Sequence, residues 1–164
     1  MIKFDMDDME LLYGLVVQET GGSAGIRDIG LIKGSISNIY QTFGEVELYP
    51  TIEEKGAMLG FSLMKNHAFL DGNKRVSMLC MLTFLEVNGV RLGYSDDALY
   101  DLAMGLASGT LDYDYLVNWI KRHKLKDYEV WLNEDNVIYD TRVADWDSGA
   151  VEVKNGHIKD DKRN

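Results

Sequence analysis

The sequence predicts an all-α protein, a bundle of helices around a buried central helix at residues 73–88, with a small C-terminal β extension. Three observations carry that expectation. Apolar residues recur at helical spacing through most of residues 6–123, the period that one buried helix face requires. Between Asn73 and Asn88, Val76, Met78, Leu79, Cys80, Met81, Leu82, Phe84, Leu85 and Val87 point in nearly every direction around the axis, and a helix apolar all round is a buried one. After Lys126 the pattern changes to short β-prone runs, YEVWL, NVIY and AVEV, separated by NED, DWDSG and KNG, the last containing a hairpin-favouring Asn-Gly. The chain therefore divides into a helical domain, 1–126, and an acidic β-prone extension, 127–164.

The first helix covers 6–19, where Met9, Leu12, Tyr13 and Val16 form one stripe and acids occupy the first turn, as the helix dipole favours. TGGSAG then breaks the chain. Ile32, Ile36, Ile39 and Tyr40 mark a second, short helix whose small residues imply that packing rather than propensity holds it. QTFGEVELYP alternates around Val46 and Leu48 and closes on Pro50, which predicts a loop or short hairpin. Thr51 and Glu54 make a T-x-x-E capping box for a helix reaching about Asn66, with Ala57, Met58, Phe61, Leu63 and Met64 on its apolar face. The central helix follows and stops at Gly89. Ser95 with Asp96 and Asp97 opens a helix to about Ser108, and Asp112 opens another to about His123.

Bulk composition excludes several function classes. With 164 residues, 46% hydrophobic and 27% charged, the chain has the composition of a soluble globular protein. A net charge of −10 opposes binding to nucleic acid, whose affinity comes largely from Lys and Arg displacing counterions. The extension has ten acids against five bases and the preceding residues seventeen against twelve, so it holds half the net charge. It reads as a solvated appendage packing Trp131 or Trp146 on the helices, or as a cover for a phosphate-binding site. The lone Cys80, within MLCML, reads as a small buried hydrophobe. No apolar run approaches the ~20 residues that span a bilayer, and the N-terminus turns acidic where a signal peptide is apolar. No membrane association and a cytoplasmic location are expected.

The chemistry concentrates in HAFLDGNKR, residues 67–75. Lys74 and Arg75 sit in the first turn of the central helix, where the dipole is already positive. An anion resolves the conflict: amides at a helix N-terminus point at whatever lies beyond it, and Gly72 permits close approach of backbone to ligand. A polyphosphate there would make both cations favourable, against the plainer alternative that they snorkel to solvent. Asp71 suits Mg²⁺, which takes one or two protein carboxylates plus phosphate oxygens, although it could equally cap the helix. Asn73 can donate its amide to a phosphate oxygen or serve as a cap. His67 is placed to remove a proton from an attacking hydroxyl, whereas His123 and His157 are taken as structural. Phe69 is expected to anchor the loop in the core, with the residues on either side of it facing the site. G-x-x-x-x-G-K-[ST], C-x-x-C and H-E-x-x-H are all absent, so a P-loop, a zinc-ribbon pair and a zincin have no support. The residues by themselves point to Mg²⁺–nucleotide binding with transfer to a hydroxyl.

HAFLDGNKR resembles the Fic/Doc superfamily signature H-x-F-x-[DE]-[GA]-N-x-R, and Lys74 after Asn73 resembles the Doc (death on curing) branch. The likeness extends through GGSAGIRDIGLI, QTFGEVELYPTIEEKGAMLGFSLMKN and FLEVNGVRL, roughly residues 5–123. It implies a Fic/Doc-like all-α bundle around the motif helix. It also implies roles: His67 as general base, Asp71 as Mg²⁺ ligand, Asn73, Lys74 and Arg75 as phosphate binders, and Gly72 in the anion-holding loop. Val46, Glu47 and Leu48 occupy the place of a target-aligning flap, where Val46 and Leu48 would pair a substrate segment by strand addition. The implied activity is that of a Doc-type toxin, an ATP- and Mg²⁺-dependent kinase that moves the γ-phosphate to a protein, expected to be elongation factor Tu, and so arrests translation. A Phd-type antitoxin is the implied partner.

The sequence departs from the superfamily at three positions. Ala68 replaces the proline of many Fic motifs, Met78 stands where many carry a second arginine, and Gly72 replaces Doc's frequent alanine. Met78 weighs against AMP transfer, whereas D-G-N is the commoner Fic spelling, so the alternatives are a Fic-type AMP transferase and a non-catalytic partner-binding module. The Fic inhibitory pattern [ST]-x-x-x-E-[GN] is absent: Ser148 and Glu152 have its spacing, but Val153 follows.

Overall fold

The structure is a computed structural model that describes residues 1–21 and 25–126; the β-prone runs expected beyond 127 lie outside the described residues. Its helices are α1 (Met6–Thr20), α2 (Ile29–Asn38), α3 (Ile52–Asn66), α4 (Asn73–Val87), α5 (Asp96–Ser108) and α6 (Tyr113–His123). A hairpin of β1 (Thr42–Phe43) and β2 (Val46–Glu47) joins α2 to α3. This is the all-α architecture the periodicity predicts. Short polar residues begin five of the helices: Asp5, Asp28, Thr51, Ser95 and Asp112 each accept a first-turn amide. At α3 the capping box is complete, with Glu54 N–H on Thr51 Oγ1 at 3.2 Å and Thr51 N–H on Glu54 Oε2 at 3.0 Å. Helix α4 has no such side-chain cap.

Helices α3 and α4 form a central pair. Two glycines one turn apart on α3 allow the close approach: a Cβ at Gly56 would lie 2.6 Å from Leu85 Cδ2, and one at Gly60 would lie 3.0 Å from Met81 Cβ. The central position expected of 73–88 is thus shared, since α3 also packs on α2, α5 and α6 while α4 packs on α1 and α5.

One side of the pair buries Met9 and Val16 of α1 and Ile32 and Ile36 of α2 against Leu59, Leu63, Val76, Cys80 and Phe84. The other side buries Leu102 and Leu106 of α5 and Leu116 and Ile120 of α6 against Met64, Met78, Met81 and Leu85. Each such side chain contributes about 1.5–3 kcal/mol through removal from water. Cys80 is fully buried with its Sγ 3.8 Å from Met9 Sδ. Burial, with Asp8 adding to it, pushes its thiol well above the usual range, so it behaves as a small hydrophobe. Because α3 ends at Asn66 and α4 starts at Asn73, residues 67–72 form a tight link between the two most enclosed rods of the fold.

Candidate active site at the α3–α4 junction

Helix α3 ends on His67, whose backbone is left-handed at φ 46°, ψ 44°, the one non-glycine residue with positive φ among the described residues. That conformation costs an L-residue roughly 1–2 kcal/mol, and it leaves His67 exposed at the helix end. Ala68 and Phe69 are fully buried, whereas Leu70 is 53% exposed. Phe69 anchors the loop as expected, but only one of its neighbours reaches the surface. Ala68 is held inside because its carbonyl accepts the amides of Arg27 at 2.7 Å and Asp28 at 3.2 Å.

Residues 25–28 run antiparallel to the loop, pairing Ile26 with Phe69 and donating Leu70 N–H to the Gly25 carbonyl at 2.9 Å. Phe69's own amide and carbonyl turn the other way, and Asn73 serves both. Phe69 N–H donates to Asn73 Oδ1 at 3.1 Å, and Asn73 Nδ2 donates to the Phe69 carbonyl at 2.9 Å. A primary amide carries donor and acceptor side by side, so one side chain here replaces a neighbouring strand. From below, the Tyr13 ring lies 4.5 Å from the Phe69 ring. Its hydroxyl accepts Gly25 N–H at 2.7 Å and donates to the Gly25 carbonyl at 2.9 Å. The loop is thereby fixed on both backbone edges and underneath.

At the start of α4, Gly72 is left-handed with φ 77°, where a side chain would be strained. The first helical bond is Val76 N–H to the Gly72 carbonyl at 2.9 Å, so the amides of Asn73, Lys74 and Arg75 lie ahead of it at the positive end of the dipole. Arg75 is 4% exposed, which removes the snorkelling alternative for it, and Lys74 is half-buried. Asp71 is half-buried, and its Oδ1 accepts Gly72 N–H at 2.7 Å. No group of three or more His, Cys, Asp or Glu that could hold a metal occurs among the described residues. A cavity of about 120 Å³ lined by Ile2, Phe4, Leu11 and Phe84, among others, lies between the N-terminus, α1 and the far half of α4, away from residues 67–75.

The hairpin brings Thr42 opposite Glu47 and Phe43 opposite Val46. Gly44, with φ 63°, supplies the positive φ that a two-residue hairpin turn needs. Leu48 lies just beyond β2 and donates its amide inward to the Gln41 carbonyl at 3.0 Å. Bonded and non-bonded pairs alternate in an antiparallel ladder, so Glu47, between Val46 and Leu48, turns its own amide and carbonyl outward. The backbone edge turned outward here is therefore that of Glu47 rather than of Val46 and Leu48, whose side chains are exposed at 70% and 47%.

Lys55 of α3 holds this hairpin: it is 2% exposed, and its Nζ donates to Glu47 Oε2 at 3.0 Å and to the Tyr49 carbonyl. Sequence inspection passes over Lys55 as a polar residue after a capping box. Its available signal was position, because Lys55 shares an i, i+4, i+8 stripe with Leu59 and Leu63, both fully buried.

A model of the Fic/DOC family matches residues 3–85. The chain is also 38% identical over 96 residues to Toxin Doc of Mycolicibacterium smegmatis, an alignment covering 57% of this chain and 74% of that protein. The matched span contains the clamped loop, the uncapped start of α4 and the hairpin, and on these grounds the chain belongs to the Fic/Doc family, on its Doc branch.

Proposed function

We propose that this protein is a Doc-type toxin of a toxin–antitoxin system. It transfers the γ-phosphate of ATP to a hydroxyl of a protein target, with elongation factor Tu as the expected target, and so arrests translation. The observation that carries this reading is the α3–α4 junction. An exposed imidazole stands at the end of one rigid helix, and the other begins, six residues on, with an uncapped turn bearing Lys74 and Arg75.

The residues present fit ATP with Mg²⁺. Lys74, Arg75 and the amides of residues 73–75 would neutralise phosphate oxygens, and Asp71 would hold the cation through Oδ2, its Oδ1 being taken by Gly72. When bound, ATP supplies the phosphoryl group and leaves as ADP. His67 accepts the proton of the target hydroxyl, and Asn73 keeps His67 and the α4 tip in register by holding Phe69. Catalysis of this kind is positioning plus charge neutralisation. A Phd-type antitoxin is the expected partner, in keeping with the likeness to Toxin Doc.

Incubation with elongation factor Tu and either γ- or α-labelled ATP tests the reading. Label is expected from the γ position only, and lost in His67→Ala. Label arriving from the α position would establish AMP transfer instead, the reading that the D-G-N spelling at Gly72 favours. Growth arrest by wild type and His67→Ala alike would establish a binding module without turnover.

A further inference from the structure

A buried ammonium must be paired to persist, because desolvating it costs several kcal/mol. Lys55 is paired twice, and both partners belong to the three-residue stretch 47–49. The fold itself does not require this arrangement. Glu47 is 49% exposed at its side chain and would be hydrated without Lys55, and apolar residues commonly replace buried ions without loss of stability. What the arrangement does secure is the hairpin. With two residues per strand, it is too short to hold its place by its own ladder.

Lys55 also grips the residue whose backbone edge is turned outward. Beside that edge stand Phe43 and Val46, 83% and 70% exposed, on the face opposite the Glu47 side chain. The same helix that carries Lys55 near its start carries His67 at its end, twelve residues or about 18 Å along the axis. Helix α3 therefore ties the hairpin and the imidazole to one rigid body.

We propose that Lys55 is a positioning residue: it holds β2 so that the outward edge of Glu47 receives an extended segment of the protein target at a fixed distance from His67. This rests on the hairpin being a target-aligning element, and the test separates the two claims. Lys55→Met removes the ammonium and keeps the side-chain length; Glu47→Gln, at a half-exposed position, keeps an acceptor for Lys55 Nζ but removes its counter-charge. Amide hydrogen exchange on the full chain and the inducer dose that arrests growth are both measured, with ATP affinity as the control for an intact α4 tip. In Lys55→Met, exchange at residues 42–48 is expected to rise at least about tenfold, since one charged hydrogen bond alone implies that much and two are lost, while α3 and α4 stay protected. The arresting dose rises in parallel, and Glu47→Gln moves both readouts less in the same direction.

Unchanged exchange at 42–48 in Lys55→Met overturns the proposal, as does faster exchange with an unchanged dose, which would make Lys55 a structural tie only. Phe43→Asp with Val46→Asp probes the hairpin itself at exposed positions. If that pair leaves the dose unchanged, the target-aligning reading fails whatever Lys55 does to exchange. A wild-type chain that arrests no growth overturns both.

Discussion

Replacing Asn73 by alanine removes both hydrogen bonds that Phe69 makes away from residues 25–28. Phe69 is fully buried, so water does not take over its amide and carbonyl. Two lost bonds at about 1 kcal/mol each, with the added desolvation of groups left unsatisfied, give a destabilisation of about 3 kcal/mol. For a domain of this size that lowers the thermal midpoint by roughly 10 °C. Circular dichroism melts of the full chain measure it, and ATP titration of the same samples adds a second axis. Asn73→Asp keeps the acceptor for Phe69 N–H but loses the donor to its carbonyl, and falls between wild type and alanine. A midpoint within about 3 °C of wild type, less than 1 kcal/mol, would refute the clamp. Weakened ATP binding with that unchanged midpoint would make Asn73 a phosphate ligand and nothing more.

His67→Gly tests the strain at the end of α3. The left-handed backbone is released from a penalty of about 1 kcal/mol, so the melting midpoint holds or rises, while the proposed phosphate transfer is expected to fall by at least about 100-fold if His67 is its base. A clear drop in stability would show that the imidazole supports the fold instead. Gly56→Ala forces a methyl to within 2.6 Å of Leu85 Cδ2 and is expected to cost about 1–3 kcal/mol, read as a lower urea midpoint at constant m. Gly34→Ala is its control, a helical glycine with nothing within 4 Å of the added carbon, and is expected to be stabilising by about 0.5–1 kcal/mol.

Much of the helical frame was legible because its signals are local. The Thr51–Glu54 box, the acids after Asp5 and Ser95 and the stop at Gly89 each act within one turn of the residues that carry them. The apolar stripes of 9–16 and 57–64 repeat at the helical period. The conflict between Lys74 and Arg75 and the dipole of their own helix is equally local, which is why the sequence alone singles out this junction as the candidate site. The α3–α4 partnership was less visible, since Gly56 and Gly60 look like weak helix formers until Leu85 and Met81 are placed against them.

The chain sequence by itself therefore determined where the helices start and stop, which one is most apolar, and which nine residues form the candidate site. Tertiary structure decided what each of those residues is free to do. Asn73 is joined to Phe69, Ala68 to Arg27 and Asp28, Tyr13 to Gly25, and Lys55 to Glu47 and Tyr49. Periodicity reports which face of an element avoids water, whereas a hydrogen bond depends on distance and angle, and those are fixed only once separate elements have packed.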